Sequence, residues 1–437
     1  MSKQILSSWG RVNQYEVETL ALTSRFDDLS AADAGKTMLP YGNGRSYGDS
    51  CLNAGGTALQ CRSLSHFIDF DPATGILICE AGVLLAEILE MVVPQGWFLA
   101  VTPGTRFVTV GGAIANDVHG KNHHVTGTFG CHVRRFELLR SSGEHLLCAP
   151  DSNADYFAAS IGGLGLTGVI TWAELQLRRI RSPWIDAETI RYTSLDEFFA
   201  LSAQSDRDYE YTVSWVDCAG KGKSLGRGLF VRGNHAAVNP DQLYRPKTQT
   251  FPAVAPVSLV NALTLKAFNT LYYHKQIGKV SRQIQHYQPF FYPLDGLLEW
   301  NRLYGPRGFY QYQCVLPSQY GRAAVAELLQ EIAASGMGSF LAVLKLCGDM
   351  QSPGMLSFPL PGVSLALDFP NRGADLHRLF TRLDSIVSTA NGRLYPAKDG
   401  RMPGQLFRSG YPGWQGFSAY LDPRFSSSFW RRVVEDI

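Results

Sequence analysis

Short apolar runs separated by turn residues fill the first part of the chain, a pattern typical of strands rather than long helices. An amphipathic spacing predicts one helix over 81–93, and the turn over 71–75 has the proline and glycine that a strand connection favours. The expected strands are 36–40, 58–61, 67–70, 76–79, 133–139, 145–148, 211–216, 225–231 and 309–315. A mixed α and β protein is therefore expected.

Glycine-rich turns interrupt this pattern at 42–48, 111–112 and 162–168. The first of them can curl its N–H groups around a phosphate, with Arg45 and Ser46 as further donors. Taken alone, such a loop is more often only a turn. Its spacing matches neither the dinucleotide-binding motif nor the P-loop, which disfavours nicotinamide or ATP as the ligand.

The stretch 105–124 combines a glycine pair with several basic residues. Thr109 is placed to cap a helix that begins with Gly111 and Gly112, and Gly120 is expected to end that helix just after His119. Several backbones would then converge on one elongated ligand if the other glycine turns lie nearby.

Three interpretations of this stretch are open. A packed helix with hydrogen-bonded histidines is the structural one. A zinc site formed by His119, His123 and His124 is disfavoured, because Gly120 breaks the helix that would put the first two on one face and the metalloprotease spacing is absent. A flavin or nucleotide site needs a second phosphate loop, which 42–48 supplies.

Composition narrows the class of protein. The length of 437 residues allows two domains with substantial cores. The balance of 40 basic and 38 acidic residues leaves no dense basic stripe, so nucleic acid is not expected as a partner. The 43 glycines suit a loop-rich enzyme, and the scattered cysteines without C-x-x-C pairs are expected to be reduced thiols.

The sequence also bears on where the protein is located in the cell. Residues 1–10 show no signal peptide and no apolar run is long enough to span a membrane, so a cytoplasmic or peripherally membrane-associated protein is expected. The interrupted apolar segment 251–273, followed by Lys275, Lys279 and Arg282, predicts a mobile interfacial lid on a membrane surface. The competing interpretation is an ordinary helix packed on a second domain.

The order of motifs resembles a known family. A strand, G-x-G-R-S-Y-G-D, P-G-T, V-G-G-A-I-A-x-D-x-H-G-K-N-H-H and G-G-x-G-L-T-G follow one another as in the FAD domain of the vanillyl-alcohol oxidase and p-cresol methylhydroxylase (PCMH) superfamily. Within it, the decaprenylphosphoryl-ribose oxidase group is similar over nearly the whole chain. This resemblance implies an α+β, two-domain flavoenzyme: a PCMH-type FAD-binding domain at 1–181, an antiparallel-sheet substrate (cap) domain at 182–392, and a return to the FAD domain at 393–437.

The resemblance also implies the cofactor contacts. Some superfamily members attach FAD covalently to a histidine where this chain has Arg45, and since a guanidinium cannot form that bond, noncovalent FAD is expected. The residues implied to surround FAD are Tyr41, Gly42, Asn43, Gly44, Arg45, Ser46, Tyr47, Gly48, Asp49, Ser50, Gly104, Thr109, Val110, Gly111, Gly112, Asn116, Asp117, Val118, His119, Val169 and Tyr395.

The second domain holds further candidates. Gln311 and Gln313 share one face of a strand, either to hydrogen-bond sugar hydroxyls or as an outward polar face. Lys345 stands in an apolar segment, so it either reaches water or meets a buried partner such as phosphate. The resemblance implies substrate contacts from Lys121, Phe291, Gln311, Gln313, Lys345, Ser364 and Lys398.

An isolated A-K-D is usually a surface lysine, but the resemblance implies that Lys398 is an active-site residue. It would orient the substrate alcohol and, with a pKa lowered by burial, help to remove its proton. Tyr47 and His119 are the other implied catalytic residues, and Tyr395 is expected near the flavin ring.

The chain departs from the family at Ser364 and Ala366, where asparagine and cysteine are usual, at Phe291, where tyrosine is usual, and at Cys347, which replaces phenylalanine. All four are expected on the sugar side of the pocket. They therefore bear on the choice of substrate more than on flavin chemistry.

The implied function is FAD-dependent oxidation of a CH–OH group: C2 of a polyprenylphosphoryl-β-D-ribofuranose becomes a 2-keto sugar. This is the first half of epimerisation to the arabinose derivative used for arabinan in cell wall biosynthesis. A separate NAD(P)H-dependent keto-sugar reductase would complete it. The alternatives are an aldonolactone or alditol oxidase that uses oxygen on soluble sugars, and a flavin-fold protein that only binds a ligand.

Overall fold

A computed structural model describes residues 2–30, 32, 35–241 and 243–435. The expected domain ends at residue 1 and at residues 436–437 lie outside these ranges. The described chain is a mixture of short strands and helices, as the hydrophobic pattern predicts.

The first part of the chain forms strands β1–β11 and helices α1–α4. The strands are β1 (Ser2–Ser7), β2 (Gln14–Ala21), β3 (Met38–Tyr41), β4 (Thr57–Gln60), β5 (Phe67–Asp71), β6 (Ile76–Glu80), β7 (Trp97–Phe98), β8 (Val133–Leu139), β9 (His145–Cys148), β10 (Val169–Gln176) and β11 (Arg178–Arg179). The helices are α1 (Leu85–Val92), α2 (Val110–Ala115), α3 (His123–Thr126) and α4 (Ala154–Ser160).

These strands form two principal sheets. One has the order β1-β2-β4-β3, with β4 parallel to both of its neighbours, and the other has the antiparallel order β5-β6-β10-β8-β9. Leu77, Phe136 and Ala173 from the second sheet and Ile88 from α1 are fully buried together. The helix α1 is held on this sheet by that apolar face.

The middle of the chain forms the cap, with strands β12–β20 and helices α5–α9. The strands are β12 (Trp184–Tyr192), β13 (Tyr211–Val216), β14 (Gly228–His235), β15 (Gln249–Thr250), β16 (Val280–His286), β17 (Leu297–Leu298), β18 (Phe309–Pro317), β19 (Ala342–Cys347) and β20 (Gly362–Pro370). The helices are α5 (Leu195–Ser205), α6 (Ala262–His274), α7 (Tyr287–Phe291), α8 (Ser318–Ser335) and α9 (Ala374–Thr389).

After α9 the chain adds β21 (Arg393–Leu394), α10 (Gly404–Gly410), α11 (Trp414–Ser418) and α12 (Ser428–Trp430). The large antiparallel sheet of the cap has the order β16-β12-β14-β13-β19-β20-β18-β21. The return segment therefore begins as an edge strand of the cap sheet. It then reaches the first domain, where Phe425 forms a parallel bridge with Met38.

The cap sheet has two different faces. Tyr312, Cys314 and Leu316 of β18 are buried in one core with Leu328 of α8 and Leu383 of α9. Because side chains alternate along a strand, the intervening residues of β18 face the opposite way. That second face meets the first domain.

One predicted helix end is wrong. The helix that Thr109 caps ends at Ala115, and Gly120 does not terminate it. The chain leaves the helix earlier because Asp117 takes a positive φ of 41°. His119 lies beyond the helix, where it forms an isolated bridge with Thr128.

The segment predicted as a lid is a helix packed on the cap. Leu265, Asn269 and Tyr273 of α6 are buried, and the Asn269 side-chain amide donates to Asp217 at 2.9 Å. The competing interpretation therefore describes one face of α6, while the opposite face is exposed. Among the described residues, no helix is long and apolar enough to cross a membrane.

Candidate active site

A cavity of about 610 Å³ lies between the first domain and the cap. Its walls include residues from all three glycine-rich turns, represented by Gly42, Gly112 and Gly165. The predicted convergence of these turns on one elongated space is therefore what the structure shows. A cavity of this size is in the range of cofactor and substrate sites.

The first glycine loop is fixed to the start of α2. Thr109 caps α2 by accepting from the Gly112 N–H at 3.1 Å, and the Asn43 amide donates to the Phe107 carbonyl at 2.7 Å. A Cβ on Gly42 would lie 2.5 Å from Thr109 Oγ1, so this glycine permits the contact between loop and helix cap. The two backbone segments form one rigid wall.

Several polar atoms on this wall are buried without a hydrogen-bond partner in the described part of the chain: Arg45 Nε, Ser50 Oγ and His119 Nδ1. An unsatisfied buried polar atom costs about 1–3 kcal/mol, so these atoms call for a ligand rich in oxygen and nitrogen. Arg45 also stacks 4.1 Å from the ring centre of Trp9. The donors and the apolar surfaces between them fit FAD.

The opposite wall is the inner face of the cap sheet. The strand register places Gln311 opposite Asp368, Gln313 opposite Ala366 and Lys345 opposite Ser364. Alternate residues of a strand share a face, so these pairs bring their side chains to one surface. Both glutamines point to the cavity, which excludes the outward polar face considered for them.

Lys398 lies where the two walls meet. Its ammonium nitrogen is 3.8 Å from the ring centre of Tyr47. Burial lowers the pKa of Lys398 to about 8, against the opposing effect of the Asp368 charge. Burial raises the pKa of Asp368 to about 7. This lysine can therefore exchange a proton near neutral pH.

Asp368 is a site residue that sequence reasoning missed. Gln311 donates to its carboxylate at 2.6 Å, so the aspartate fixes the amide that lines the cavity. A buried aspartate needs such partners. The available signal was an acid in the otherwise apolar run 363–370.

His119 is held in one protonation state. The Gln313 amide donates to its Nε2 at 3.1 Å, so the ring proton resides on Nδ1. Burial, with Lys345 nearby, lowers the pKa of His119 well below its usual value, and the ring stays neutral. It lies 5.3 Å from the ring of Tyr395.

The neighbouring histidines, His123 and His124, contact backbone groups. His123 Nδ1 accepts from the Gly348 N–H at 3.2 Å, and His124 Nε2 lies 3.0 Å from the Tyr209 carbonyl. Within the residues that the structure describes, no group of three or more His, Cys, Asp or Glu side chains is arranged to hold a metal ion. The structural interpretation accounts for these two rings.

Lys121, Lys345 and Lys398 all line the cavity; Lys345 is buried, and Lys121 and Lys398 are partly buried. Lys121 donates to the Phe291 carbonyl at 3.2 Å and Lys345 to the Gly120 carbonyl at 2.9 Å. Burial lowers the pKa of Lys121 to about 8 and also lowers that of Lys345. None of these lysines has an ion-pair partner in the described chain, which points to an anionic ligand.

Comparison with known proteins decides the family. Residues 29–149 match the model of a FAD binding domain. The chain is 38% identical to decaprenylphosphoryl-β-D-ribose oxidase of Mycolicibacterium smegmatis over 98% of this chain and 97% of that protein. The chain belongs to the decaprenylphosphoryl-ribose oxidase family. It is an FAD-dependent oxidoreductase with the PCMH-type two-domain fold.

Two other proteins are similar to this family member. An uncharacterized protein of Streptomyces coelicolor is 32% identical over 80% of this chain and its own full length. D-arabinono-1,4-lactone oxidase of Yarrowia lipolytica is 27% identical over 33% of this chain and 28% of its own length. The second similarity is confined to part of the chain.

Most residues that the family resemblance named do line the cavity. They are Gly42, Asn43, Gly44, Arg45, Ser46, Tyr47, Ser50, Gly104, Thr109, Gly111, Gly112, Asn116, Val118, His119, Lys121, Phe291, Gln311, Gln313, Lys345, Ser364, Tyr395 and Lys398. The structure thus brings the implied cofactor and substrate residues of this family member to one space.

A smaller set does not line the cavity: Tyr41, Gly48, Asp49, Val110, Asp117 and Val169. Asp117 accepts from the Gly130 N–H at 2.8 Å and from Ser352 Oγ at 2.6 Å. Asp49 pairs with Arg432 at 2.7 Å, and a Cβ on Gly48 would lie 1.6 Å from the Asp399 carbonyl oxygen. These residues hold the walls together, and their contact with FAD stays a prediction.

Of the four positions that depart from the family, some line the cavity and one does not. Phe291, Ser364 and Ala366 line the cavity, as expected. Cys347 does not, so its expected place on the sugar side is wrong. It shares a face of β19 with Lys345 but stands two residues further along the strand, where it is buried in a cluster with Phe358 and Tyr395.

Proposed function

We propose that this protein binds FAD noncovalently and oxidises the C2 hydroxyl of a polyprenylphosphoryl-β-D-ribofuranose to the 2-keto sugar. The observation that carries this proposal is the set of unpaired lysines beside a pair of glutamines in one cavity. A sugar phosphate suits both groups, because its phosphate can pair with the lysines and its hydroxyls can hydrogen-bond to the glutamines. The family relationship supports the same substrate class.

The first glycine wall would hold FAD. Arg45, Ser50 and His119 supply the unpartnered donors, and Asn43 keeps the loop in place. Bound FAD supplies the hydride acceptor. Tyr395 holds the neighbouring surface in position, since its hydroxyl donates to the Asn116 carbonyl at 2.8 Å.

Lys398 is assigned to the alcohol. In its neutral form, which the lowered pKa of about 8 makes accessible, the amine accepts the hydroxyl proton as the carbon gives up hydride. Tyr47 limits the movement of the lysine by packing against it at 3.8 Å. Gln311 and Gln313 orient the remaining hydroxyls by hydrogen bonds.

Lys121 and Lys345 are assigned to the phosphate. Each donates one hydrogen bond to a backbone carbonyl, which leaves its other N–H groups available. A phosphate between them would keep both lysines charged in a buried place. A neutral lactone or polyol would leave these charges unpaired.

The product chemistry requires a partner. A 2-keto sugar becomes an arabinose derivative only when hydride is returned to the opposite face of C2. We therefore assign that step to a separate NAD(P)H-dependent reductase, and the pathway to arabinan for the cell wall.

An anaerobic titration tests the substrate. Polyprenylphosphoryl-ribose is expected to bleach the flavin absorbance, whereas free pentoses, lactones and polyols at equal concentration leave it unchanged. Bleaching by soluble lactones or polyols alone would favour the oxygen-using oxidase, in line with the partial similarity to the lactone oxidase. A flavin that no sugar bleaches would indicate a protein that only binds its ligand.

Acid precipitation tests the mode of FAD attachment. The yellow colour is expected in the supernatant, because Arg45 stands where covalent relatives have the linking histidine. Colour that remains with the denatured protein would contradict noncovalent binding.

A further inference from the structure

The helix α6 has an exposed apolar stripe opposite its packed face. Leu263, Ala267 and Leu271 follow one another at every fourth position, and the side chains of Leu263 and Leu271 are 78% and 72% exposed. Residues four apart lie on one side of a helix. Just beyond the helix, Ile277 is 93% exposed. Such a concentration of exposed large aliphatic side chains indicates an interaction surface.

Basic residues border this stripe. Lys266 of α6 and Lys275 directly after it are both exposed, and neither forms an ion pair in the described chain; the Lys275 ammonium lies 3.6 Å from the ring centre of Tyr272. From 243 to 294 the sequence has six lysines and arginines and no aspartate or glutamate. Lys279 and Arg282 pair with Glu197 and Glu188 from elsewhere in the chain, so the unpaired positive charge beside the stripe is that of Lys266 and Lys275.

The same segment borders the cavity. Thr250 of β15 and Leu298 of β17 line the cavity and pair with each other in a parallel bridge. The chain between these strands carries α6 and the exposed Val257. A lipid chain leaving the cavity along this side would meet apolar side chains.

We propose that Leu263, Ala267 and Leu271, with Lys266 and Lys275, form a docking face that binds the surface of an anionic lipid bilayer. Leucines enter the boundary between headgroups and acyl chains, and the lysines reach the lipid phosphates. The proposal rests on the proposed function in one respect: a substrate on a long lipid requires the cavity mouth to approach the membrane.

A second copy of the chain is a poorer occupant. A twofold contact would place the docking face against itself. Lys266 and Lys275 of both copies would then meet with no acid in the whole segment to compensate them. Like charges in a closed contact oppose association, whereas anionic lipids neutralise them.

Vesicle co-sedimentation tests the docking face on the full-length holoenzyme. Vesicles of phosphatidylglycerol and phosphatidylcholine are expected to bind it, and vesicles of phosphatidylcholine alone to bind it much more weakly. The double variant Lys266→Gln/Lys275→Gln is expected to lose about 30-fold in affinity for the anionic vesicles. Leu263→Glu/Leu271→Glu is expected to abolish binding to both.

The matched control is Lys3→Gln/Ile5→Glu on β1, where Ile5 is 73% exposed on another part of the surface. It is expected to bind vesicles like the parent protein. All substituted side chains are exposed, so equal melting temperatures are expected. Unchanged vesicle binding by both docking-face variants would overturn the proposal, as would a dimer that Leu263→Glu/Leu271→Glu dissociates while no variant binds vesicles.

Activity separates this proposal from the proposed function. The docking-face variants are expected to be reduced normally by a short-chain, water-soluble phosphoryl-ribose and slowly by the long-chain substrate in vesicles. If vesicle binding is lost but neither substrate reduces the parent flavin, the docking face stands and the proposed substrate is wrong. If both substrates react equally with every variant, the docking face is wrong and the substrate stands.

Discussion

The two walls of the cavity are built in opposite ways. The glycine-loop wall is mainly backbone, and several of its conspicuous side chains, such as Asp49 and Asp117, are used up in contacts within the protein. The cap wall presents side chains from a regular sheet, and its lysine, Lys345, forms no ion pair in the described chain. The first wall thus suits a fixed cofactor. On the second wall, substitutions that leave the sheet intact can change which substrate is bound.

The largest effect is expected at Lys398, on the boundary of the two walls. Lys398→Ala is expected to keep FAD but to slow flavin reduction by about 10²- to 10⁴-fold, because a positioned proton acceptor is lost. Anaerobic stopped-flow measurement of flavin absorbance checks the rate, and the spectrum before mixing checks FAD content. A reduction rate near that of the parent would remove Lys398 from the proton transfer.

A substitution in the glycine-loop wall is expected to weaken stability and FAD binding, whereas Lys398→Ala slows the reaction. Gly48→Ala would place a Cβ 1.6 Å from the Asp399 carbonyl oxygen, so the loop must move. Unfolding free energy is expected to fall by about 1–3 kcal/mol and FAD to be lost during gel filtration. Gly416→Ala is the control, since nothing lies within 4 Å of that position. An FAD-replete, fully stable Gly48→Ala protein would show that this wall is not rigid.

Asp368→Asn tests whether Asp368 on the cap wall raises the pKa of Lys398. The Asp368 charge raises the pKa of Lys398, against burial. Removing that charge lowers the pKa of Lys398 further. The neutral amine accepts the proton, so the rate rises with pH through this pKa, and in the variant that rise is expected at lower pH. The rate of flavin reduction as a function of pH checks it, and an unmoved profile with normal FAD content would count against the coupling.

The smallest effect is expected from Ser364→Asn, which restores the usual family residue on the cap wall. The change adds an amide beside Lys345 without altering the strand register. KM for the phosphoryl sugar is expected to change by less than about tenfold, in the range of one added hydrogen bond, with an unchanged flavin spectrum. A lost flavin spectrum would mean that the two walls are not independent.

Local pattern predicted part of the strands, but it missed β1, β2, β12, β16, β19 and β20. The strands expected at 211–216, 133–139 and 145–148 have the bounds of β13, β8 and β9. The end of α2 was not predictable, because the positive φ of Asp117 is imposed by partners far along the chain, including Ser352. Local sequence cannot show such a contact.

The candidate site shows the same limit. The glycine spacing and the family motifs found the first wall and Lys398, because each of these residues stands in a short motif that can be recognised locally. Asp368 was missed because its role depends on standing opposite Gln311 in the strand register. Cys347 was misplaced because Phe358 and Tyr395, which are distant in sequence, pack around it beyond the end of the cavity.

Arg432 joins both walls, since its guanidinium pairs with Asp49 in the glycine loop at 2.7 Å and with Asp399, next to Lys398, at 3.0 Å. Asp49 and Arg432 are separated by 383 residues. During synthesis the ribosome must therefore release nearly all of the chain before this clasp can close. FAD is therefore expected to bind only after the return segment has been synthesised and packed.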